Sequence, residues 1–246
     1  MRLVTLFRNC GLELMTKILA IDASTERCSV ALLQNGQVLE KVNDTPRAHA
    51  GCLLPMVDEV LAEGGCGLQQ LSAIAFGAGP GSFTGLRICL GVVQGLSFGA
   101  NLPVIGISSL EAMAYAAHKR YPQFDYLMPA IDARMNEVYW AGYKVSEGKL
   151  ELFQSPQATS VAEVDNHLAT WLKGKEVVGI GSGWGLLMES RDLLTEMNPR
   201  FWPQAAAVAS LAHDAYDAGD YTDAMAAEPI YLRTEISWKK RQRIRR

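Results

Sequence analysis

The order in which strand and helix periodicities follow one another constrains this chain more than any single motif. Ile18–Ile21 is a compact apolar run ending at Asp22, Cys28–Leu33 follows, and Asn35 and Gly36 separate that run from Gln37–Val42. Asn-Gly between two such runs signals a tight hairpin, because both residues tolerate positive φ. Three antiparallel strands therefore precede any helix. From Ala50 to Glu63, Leu53, Leu54, Val57, Val60 and Leu61 recur at helical spacing; Pro55 sits early, where a helix tolerates it, and Gly64, Gly65 and Gly67 end the pattern. Strands over Leu71–Phe76 and Val104–Ile107 then alternate with helices over Thr84–Phe98 and from Ser108 or Ser109 to Ala117. After Pro122 the cycle restarts. Strands are expected at Leu127–Ile131 and Glu137–Val145, a hairpin partner at Leu150–Phe153 and a helix over Val161–Leu172. A strand over Glu176–Ile180 and a last helix over Gln204–Tyr216 complete it. The order β-β-β-α-β-α-β-α, then a shorter β-β-α-β-α unit, specifies an α/β chain of two related halves. The break falls near residues 118–126, and no fixed-period repeat is visible.

Charge placement narrows the partners. Six of the 23 basic residues (Lys239, Lys240, Arg241, Arg243, Arg245 and Arg246) crowd the last eight positions, so the rest of the chain is acidic. An acidic body argues against a nucleic-acid face spread over the whole surface. The short tail is either solvated or touches RNA, an anionic lipid or an acidic partner. With 49% apolar and 20% charged residues the chain suits a soluble globular protein. Five cysteines, an odd number with no CxxC, point to reduced, cytosolic chemistry. No apolar run reaches the roughly 20 residues that cross a bilayer. Met15 opens a tidier start than Met1, so residues 1–14 are read as an extension that need not belong to the true product.

Common catalytic signatures are absent: there is no GxxxxGK[ST], HExxH or GxSxG, and the histidines stand far apart at 49, 118, 167 and 213. No metal site is expected. Asp22 closes the first strand beside Ser24 and Thr25, a place where an acid and turn amides hold phosphate or hydrated Mg²⁺, or where the turn merely satisfies its own amides. Asp132 and Arg134 stand at a similar strand end in the second half, where Arg134 can equally pair with Asp132 or Glu137. The segment GAGPGSFTGLR over 77–87 is the densest; Ser82 or Thr84 can cap the coming helix. It serves as a structural turn, a partner interface or a ligand loop, and its spacing does not match GxGxxG. Phe83, between small residues, reads as an apolar plug into the core. Gly85, Gly91, Gly95 and Gly99 recur almost every turn of that helix, each costing about 1 kcal/mol relative to Ala and so needing a compensating contact, by tight packing or at an interface. Gly181 and Gly183 form a second candidate phosphate turn. His49 is expected as a cap or solvent partner, Trp140 and Tyr143 as strand packing, and Trp184 and Trp202 as cover for the core edge.

ILAIDAST over 18–25, LLPMV over 53–57, AFGAGPGSFTGLRI over 75–88, GVVQGLSFGANLPVIGISSL over 91–110, AIDARMNEVYWAGY over 130–143, GIGSGW over 179–184 and EPIYLR over 228–233 follow in that order. Together they resemble the TsaB (YeaZ) family, from about Met15 to Lys240, with GPGSFTGLR and DARMNEVYW the most specific parts. The resemblance implies the fold of actin-like and sugar-kinase-like ATPases, two ribonuclease H-like halves flanking a cleft, the second shortened. On that pattern residues 15–120 form the first half and 121–238 the second, whose C-terminal part is free to pack back on the first; 239–246 is the tail. Catalytic relatives carry HxxxH metal ligands where this chain has His49 and Leu53, so one of the two histidines is missing.

The resemblance further implies a non-catalytic subunit of the machinery that makes threonylcarbamoyladenosine in tRNA. It would pair with the catalytic threonylcarbamoyltransferase (TsaD-type) and help assemble a small ATPase subunit (TsaE-type). Alone it would form a homodimer; it would meet tRNA through the complex and work in the cytoplasm, away from membranes. The implied interface carries over to Gly81, Ser82, Phe83, Thr84, Gly85, Arg87, Gly91 and Gly95. No cofactor of its own is implied; ATP or ADP bound in the complex would meet Asp22, Ser24, Thr25, Asp132, Arg134, Gly181 and Gly183, as vestigial or complex-dependent contacts. Two other classes compete. One is an autonomous ATPase or small-molecule kinase with Asp22 and Asp132 holding Mg²⁺–ATP; the other is an RNA-binding accessory module resting on the basic tail.

Overall fold

A computed structural model describes residues 16–45, 49–172, 174–187 and 189–233. The extension over 1–14 and the basic tail lie outside the described residues. In the first part of the chain, β1 (Ile18–Asp22), β2 (Cys28–Gln34), β3 (Gln37–Asn43), β4 (Ala73–Gly79) and β5 (Val104–Ser108) form a sheet ordered β3-β2-β1-β4-β5. β1, β2 and β3 pair antiparallel, whereas β4 joins β1 and β5 joins β4 in parallel. Asn35 (φ 55°) and Gly36 (φ 70°) make the β2–β3 turn, both with the positive φ that the Asn-Gly pair anticipates.

The second part repeats this plan. β6 (Tyr126–Arg134), β7 (Glu137–Ser146), β8 (Lys149–Ser160), β9 (Val177–Ile180) and β10 (Glu196–Asn198) give the order β8-β7-β6-β9-β10, again a three-stranded meander extended by two parallel strands. The two halves are related by connectivity, which leaves no fixed-period trace in sequence. β8 runs far beyond Leu150–Phe153, because its largely polar residues pair along β7 at a sheet edge, where Pro156 lacks no needed donor. β10, only three residues long, carries no periodicity to read and is defined by pairing with β9.

Among the described residues five α-helices cover the sheets: α1 (His49–Glu63), α2 (Phe83–Ala100), α3 (Ser109–Arg120), α4 (Val161–Trp171) and α5 (Ala205–Ala218). β1 is buried on both faces, which accounts for its unbroken apolar run. Leu19 and Ile21 face α1 and α2, where Leu53, Val57, Val60, Cys89 and Val93 close one core. Ile18 and Ala20 face the opposite way, toward Ala205, Val208, Ala209 and Ala212 of α5. Small residues on both sides let α5 approach the sheet closely, although it follows the second sheet in sequence. Its open N-terminal amides are met from the first sheet: Ser29 Oγ accepts Ala205 N–H at 2.8 Å and Glu40 Oε1 accepts Ala206 N–H at 2.9 Å. α3 lies between the sheets, with Ala112 in the core of the first and Leu110, Met113 and Ala114 packed on Leu127, Ile131 and Ile180 of the second. α4 covers the far face of the second sheet through Val164 and Leu168 against Trp140 and Trp184. The result is an α/β fold of two mixed sheets flanked by helices, in a bilobed actin-like arrangement.

Candidate functional site

The strand ends at Asp22 and Asp132 open on one cleft of about 860 Å³ between the two sheets' loops. Its walls include Thr25, Glu26 and His49 on one side, Asp132, Arg134, Tyr139 and Ser182 on the other, and Trp202 and Arg233 from the C-terminal part. Asp22 itself does not reach it. The side chain is fully buried, and its carboxylate accepts the Ser24 N–H at 3.1 Å and the Ser24 hydroxyl at 3.0 Å. Burial pushes its pKa up to about 6, against the pull of the Ser24 hydrogen bonds.

The glycines of the 77–85 segment explain why this loop is closed. A Cβ on Gly77 would lie 1.8 Å from Asp22 Oδ2, one on Gly81 2.1 Å from Ser24 O, and one on Gly85 2.0 Å from Ala23 O. Ser82 N–H donates to Ser24 O at 2.7 Å, and the Ser82 hydroxyl caps α2 by accepting Gly85 N–H at 3.3 Å. The loop after β1 is therefore packed against the helix start, and Ser24, Gly81, Ser82, Thr84 and Gly85 line the cleft beside it. Asp22, fully buried and bonded to Ser24, does not reach a nucleotide's phosphates or their metal in this arrangement.

On the opposite wall Asp132 Oδ1 accepts Arg134 N–H at 2.7 Å, and Oδ2 accepts Arg134 Nη1 at 2.9 Å. Arg134, Met135 and Asn136 all have positive φ (64°, 57° and 61°), so the β6–β7 turn is strained over three non-glycine residues. That turn aims Arg134 across the cleft, where Nη2 meets Glu26 Oε1 at 3.0 Å. Of the two acids weighed from sequence as partners of Arg134, Asp132 is the one it meets; Glu137 is held by Arg233, whose Nε donates to its Oε2 at 3.1 Å. Gly181 (φ 103°) and Gly183 are pressed on β6: Cβ atoms there would sit 2.3 Å from Ala130 O and 2.8 Å from Ala130 Cβ. The Gly181 amide is already spent on Asn198 O at 2.9 Å. His49 is buried, its Nε2 2.9 Å from Thr25 O, so it ties α1 to the cleft rim rather than facing solvent. Among the described residues, no group of three or more His, Cys, Asp or Glu is placed to hold a metal.

Helix α2 leaves the cleft with two different faces. Gly85, Leu86, Cys89, Val93 and Ser97 are buried, whereas Phe83, Thr84, Arg87, Gly91, Gly95 and Phe98 are exposed. Phe83 is not the core plug its neighbours suggested. It is 46% exposed, with the Arg87 guanidinium 3.8 Å from its ring centre and Tyr231 beside it at 5.7 Å. Cβ atoms added at Gly91, Gly95 and Gly99 would meet nothing within 4 Å. By length and hydropathy α2 passes as a bilayer-crossing helix, beyond the sequence expectation, yet one of its faces is committed to β4 and β1.

Sequence reasoning missed Glu26, Arg233 and Tyr231 as parts of this region. EPIYLR stood out as a pattern, but nothing in it said that Arg233 would reach residues about a hundred positions earlier.

A family model described as TsaD, tRNA N6-adenosine threonylcarbamoyltransferase, matches residues 41–183. The Haemophilus influenzae tRNA threonylcarbamoyladenosine biosynthesis protein TsaB is 42% identical over 231 residues, covering 91% of this chain and 96% of that one. Its Escherichia coli namesake is 38% identical over 234 residues, covering 91% and 97%. A Pseudomonas aeruginosa crystal structure, described as an uncharacterized protein similar to peptidase YeaZ, superposes with a TM-score of 0.82 at 40% identity. It covers 89% of this chain and all of that one. The transferase model spans only the middle of the chain, whereas the TsaB relatives align nearly end to end. This chain belongs to the TsaB (YeaZ) family.

Proposed function

We propose that this chain acts in the synthesis of threonylcarbamoyladenosine in tRNA as the non-catalytic partner of the TsaD-type transferase, holding that subunit in its working form through the uncovered face of α2. The glycine column carries the reading. Gly91, Gly95 and Gly99 each cost the helix about 1 kcal/mol relative to Ala. Nothing among the described residues compensates, because no described atom lies within 4 Å of a Cβ placed there. A flat, small-residue strip between Phe83 and Phe98 suits a second helix packed close. Of the interface residues implied by resemblance, Ser82, Phe83, Thr84, Arg87, Gly91 and Gly95 are exposed and available, while Gly81 and Gly85 support the face from below by seating the helix start on the 22–25 loop.

The face belongs to residues 15–120, and in the partner's absence it would pair with a second copy. The small TsaE-type ATPase and tRNA would join through the assembled complex, and the chain would work in the cytoplasm beside that RNA. An autonomous ATPase is poorly served by a buried Asp22 already bonded to Ser24. Co-purification with the TsaD-type subunit tests the reading: a stoichiometric complex that Gly91→Leu disrupts is expected. Modification of tRNA by this chain alone, supplied with the activated threonylcarbamoyl adenylate, would overturn it.

A further inference from the structure

The segment after α5 does not end on the second sheet. It returns along α2 in the opposite direction: Gln94 Nε2 donates to Ala224 O at 2.9 Å, and further on Arg87 Nε donates to Tyr231 Oη at 3.3 Å. Between these points Ile230 N–H donates to Ala78 O at 2.7 Å, and its own carbonyl lies 2.8 Å from where a Cβ on Gly79 (φ 112°) would stand. The strap is thus seated on the end of β4, at a place only glycine permits. Its inward positions are small, with Ala224 and Ala227 buried in the α1–α2 core. Its outward positions are Ala226, Glu228 and three large apolar residues: Met225 is 79% exposed, Ile230 38% and Tyr231 45%. A segment meant only for solvent would carry the reverse pattern.

The far end of the strap is fastened to the second sheet. Arg233 holds Glu137 Oε2 through Nε and Nη2, and Nη2 also donates to Ala133 O at 3.3 Å. Glu137 and Ala133 flank the strained turn that carries Arg134.

We infer that the partner-docking face is composite: α2 supplies one half, residues 224–233 supply the other, and Arg233 is the positioning residue that keeps the second half in place for the TsaD-type transferase subunit. This rests on the reading of α2 as the partner face. Continuity argues for it, since the Tyr231 ring lies tilted against Phe83 with 5.7 Å between centres and so extends the same exposed apolar surface. The occupant is the TsaD-type subunit already proposed for α2, because the strap adjoins that face instead of forming a separate one. Residues 224–233 lie outside the stretch that the transferase family model matches, so the strap is the part of this face in which the chain is not similar to that model.

The test is titration calorimetry of the full-length chain against the purified TsaD-type subunit, with sedimentation of each variant alone as the self-association control. Met225→Glu and Tyr231→Ala are expected to weaken the heterodimer by about ten-fold or more, with unchanged circular dichroism and melting temperature. Arg233→Ala is expected to weaken it less and to raise hydrogen exchange at the Ile230 amide, a readout that loss of a mere surface ion pair would not move. Met225→Glu serves where a strap variant fails to fold, because that side chain touches little. If Gly91→Leu abolishes pairing while Met225→Glu and Tyr231→Ala bind normally, docking uses α2 alone and the composite face is wrong. If the strap variants weaken only self-association, the occupant is a second copy and the inference fails. If Gly91→Leu leaves pairing intact, the α2 reading fails first, whatever the strap variants do, and the composite face falls with it.

Discussion

Two sets of glycines share one stretch of chain and exist for opposite reasons. Gly77, Gly81 and Gly85 stand where a Cβ would run into the Asp22–Ser24 loop at about 2 Å; Gly91, Gly95 and Gly99 stand where it would meet nothing. The first set is dictated by the inside of the molecule. The second is unfavourable for the isolated helix, and nothing among the described residues accounts for it. Repetition of small residues along a helix is therefore not one signal but two, separated by what a methyl group would touch.

The contrast can be broken at several points. The largest effect is expected for Gly85→Ala, which forces a carbon against the Ala23 carbonyl; chemical denaturation should show a loss of about 3 kcal/mol or more. A neutral outcome would mean that the 22–25 loop yields easily and is not sealed. Asp22→Asn tests the same seal by charge. The Asp22 pKa rises from 3.8 to about 6 on folding, so the folded chain binds the proton more readily than the unfolded one. Stability should accordingly fall as pH rises from about 4 to about 6 and change no further above, by up to about 3 kcal/mol for this group. The variant should lack that slope and melt higher at pH 7, and Mg²⁺ should stabilise neither protein. At the open end of the helix the sign reverses: Gly91→Ala should raise the isolated chain's stability by about 1 kcal/mol, read as a higher denaturation midpoint. Smallest of all, removing Arg134 costs the exposed pair with Glu26, 70% and 72% exposed, and should change stability by under about 1 kcal/mol.

Much of the fold was legible in the residues. The apolar run of β1, the Asn35-Gly36 turn and the helix over α1 follow from local pattern, because each is specified by neighbours in sequence. β10 was not legible, since three residues hold no period, and the far end of β8 was hidden by its polarity at an exposed edge. The kinship of the two sheets was read as a succession of elements, yet only strand order shows how close it is. The site divided in the same way. Asp22, Ser24, Asp132 and Arg134 are found at their strand ends, as their spacing suggested. Which of them faces the cleft depended on how far the 77–85 segment presses on the first loop, a distance no sequence pattern encodes. Phe83 was misread because small neighbours usually mark a core insertion, whereas here they thin the helix beside an exposed ring. Arg233 was invisible for a simpler reason: its partners Ala133 and Glu137 lie about a hundred residues away.

The central claim is that the open glycine column is kept for a partner helix. It is tested most directly by the double variant Gly91→Leu, Gly95→Leu, measured twice: thermal melting of the isolated chain and affinity for the TsaD-type subunit. The account expects a melting temperature at or above the parent's, because leucine is the better helix former and meets no obstruction, together with loss of at least about a hundred-fold in affinity. Full affinity with both leucines in place would contradict it.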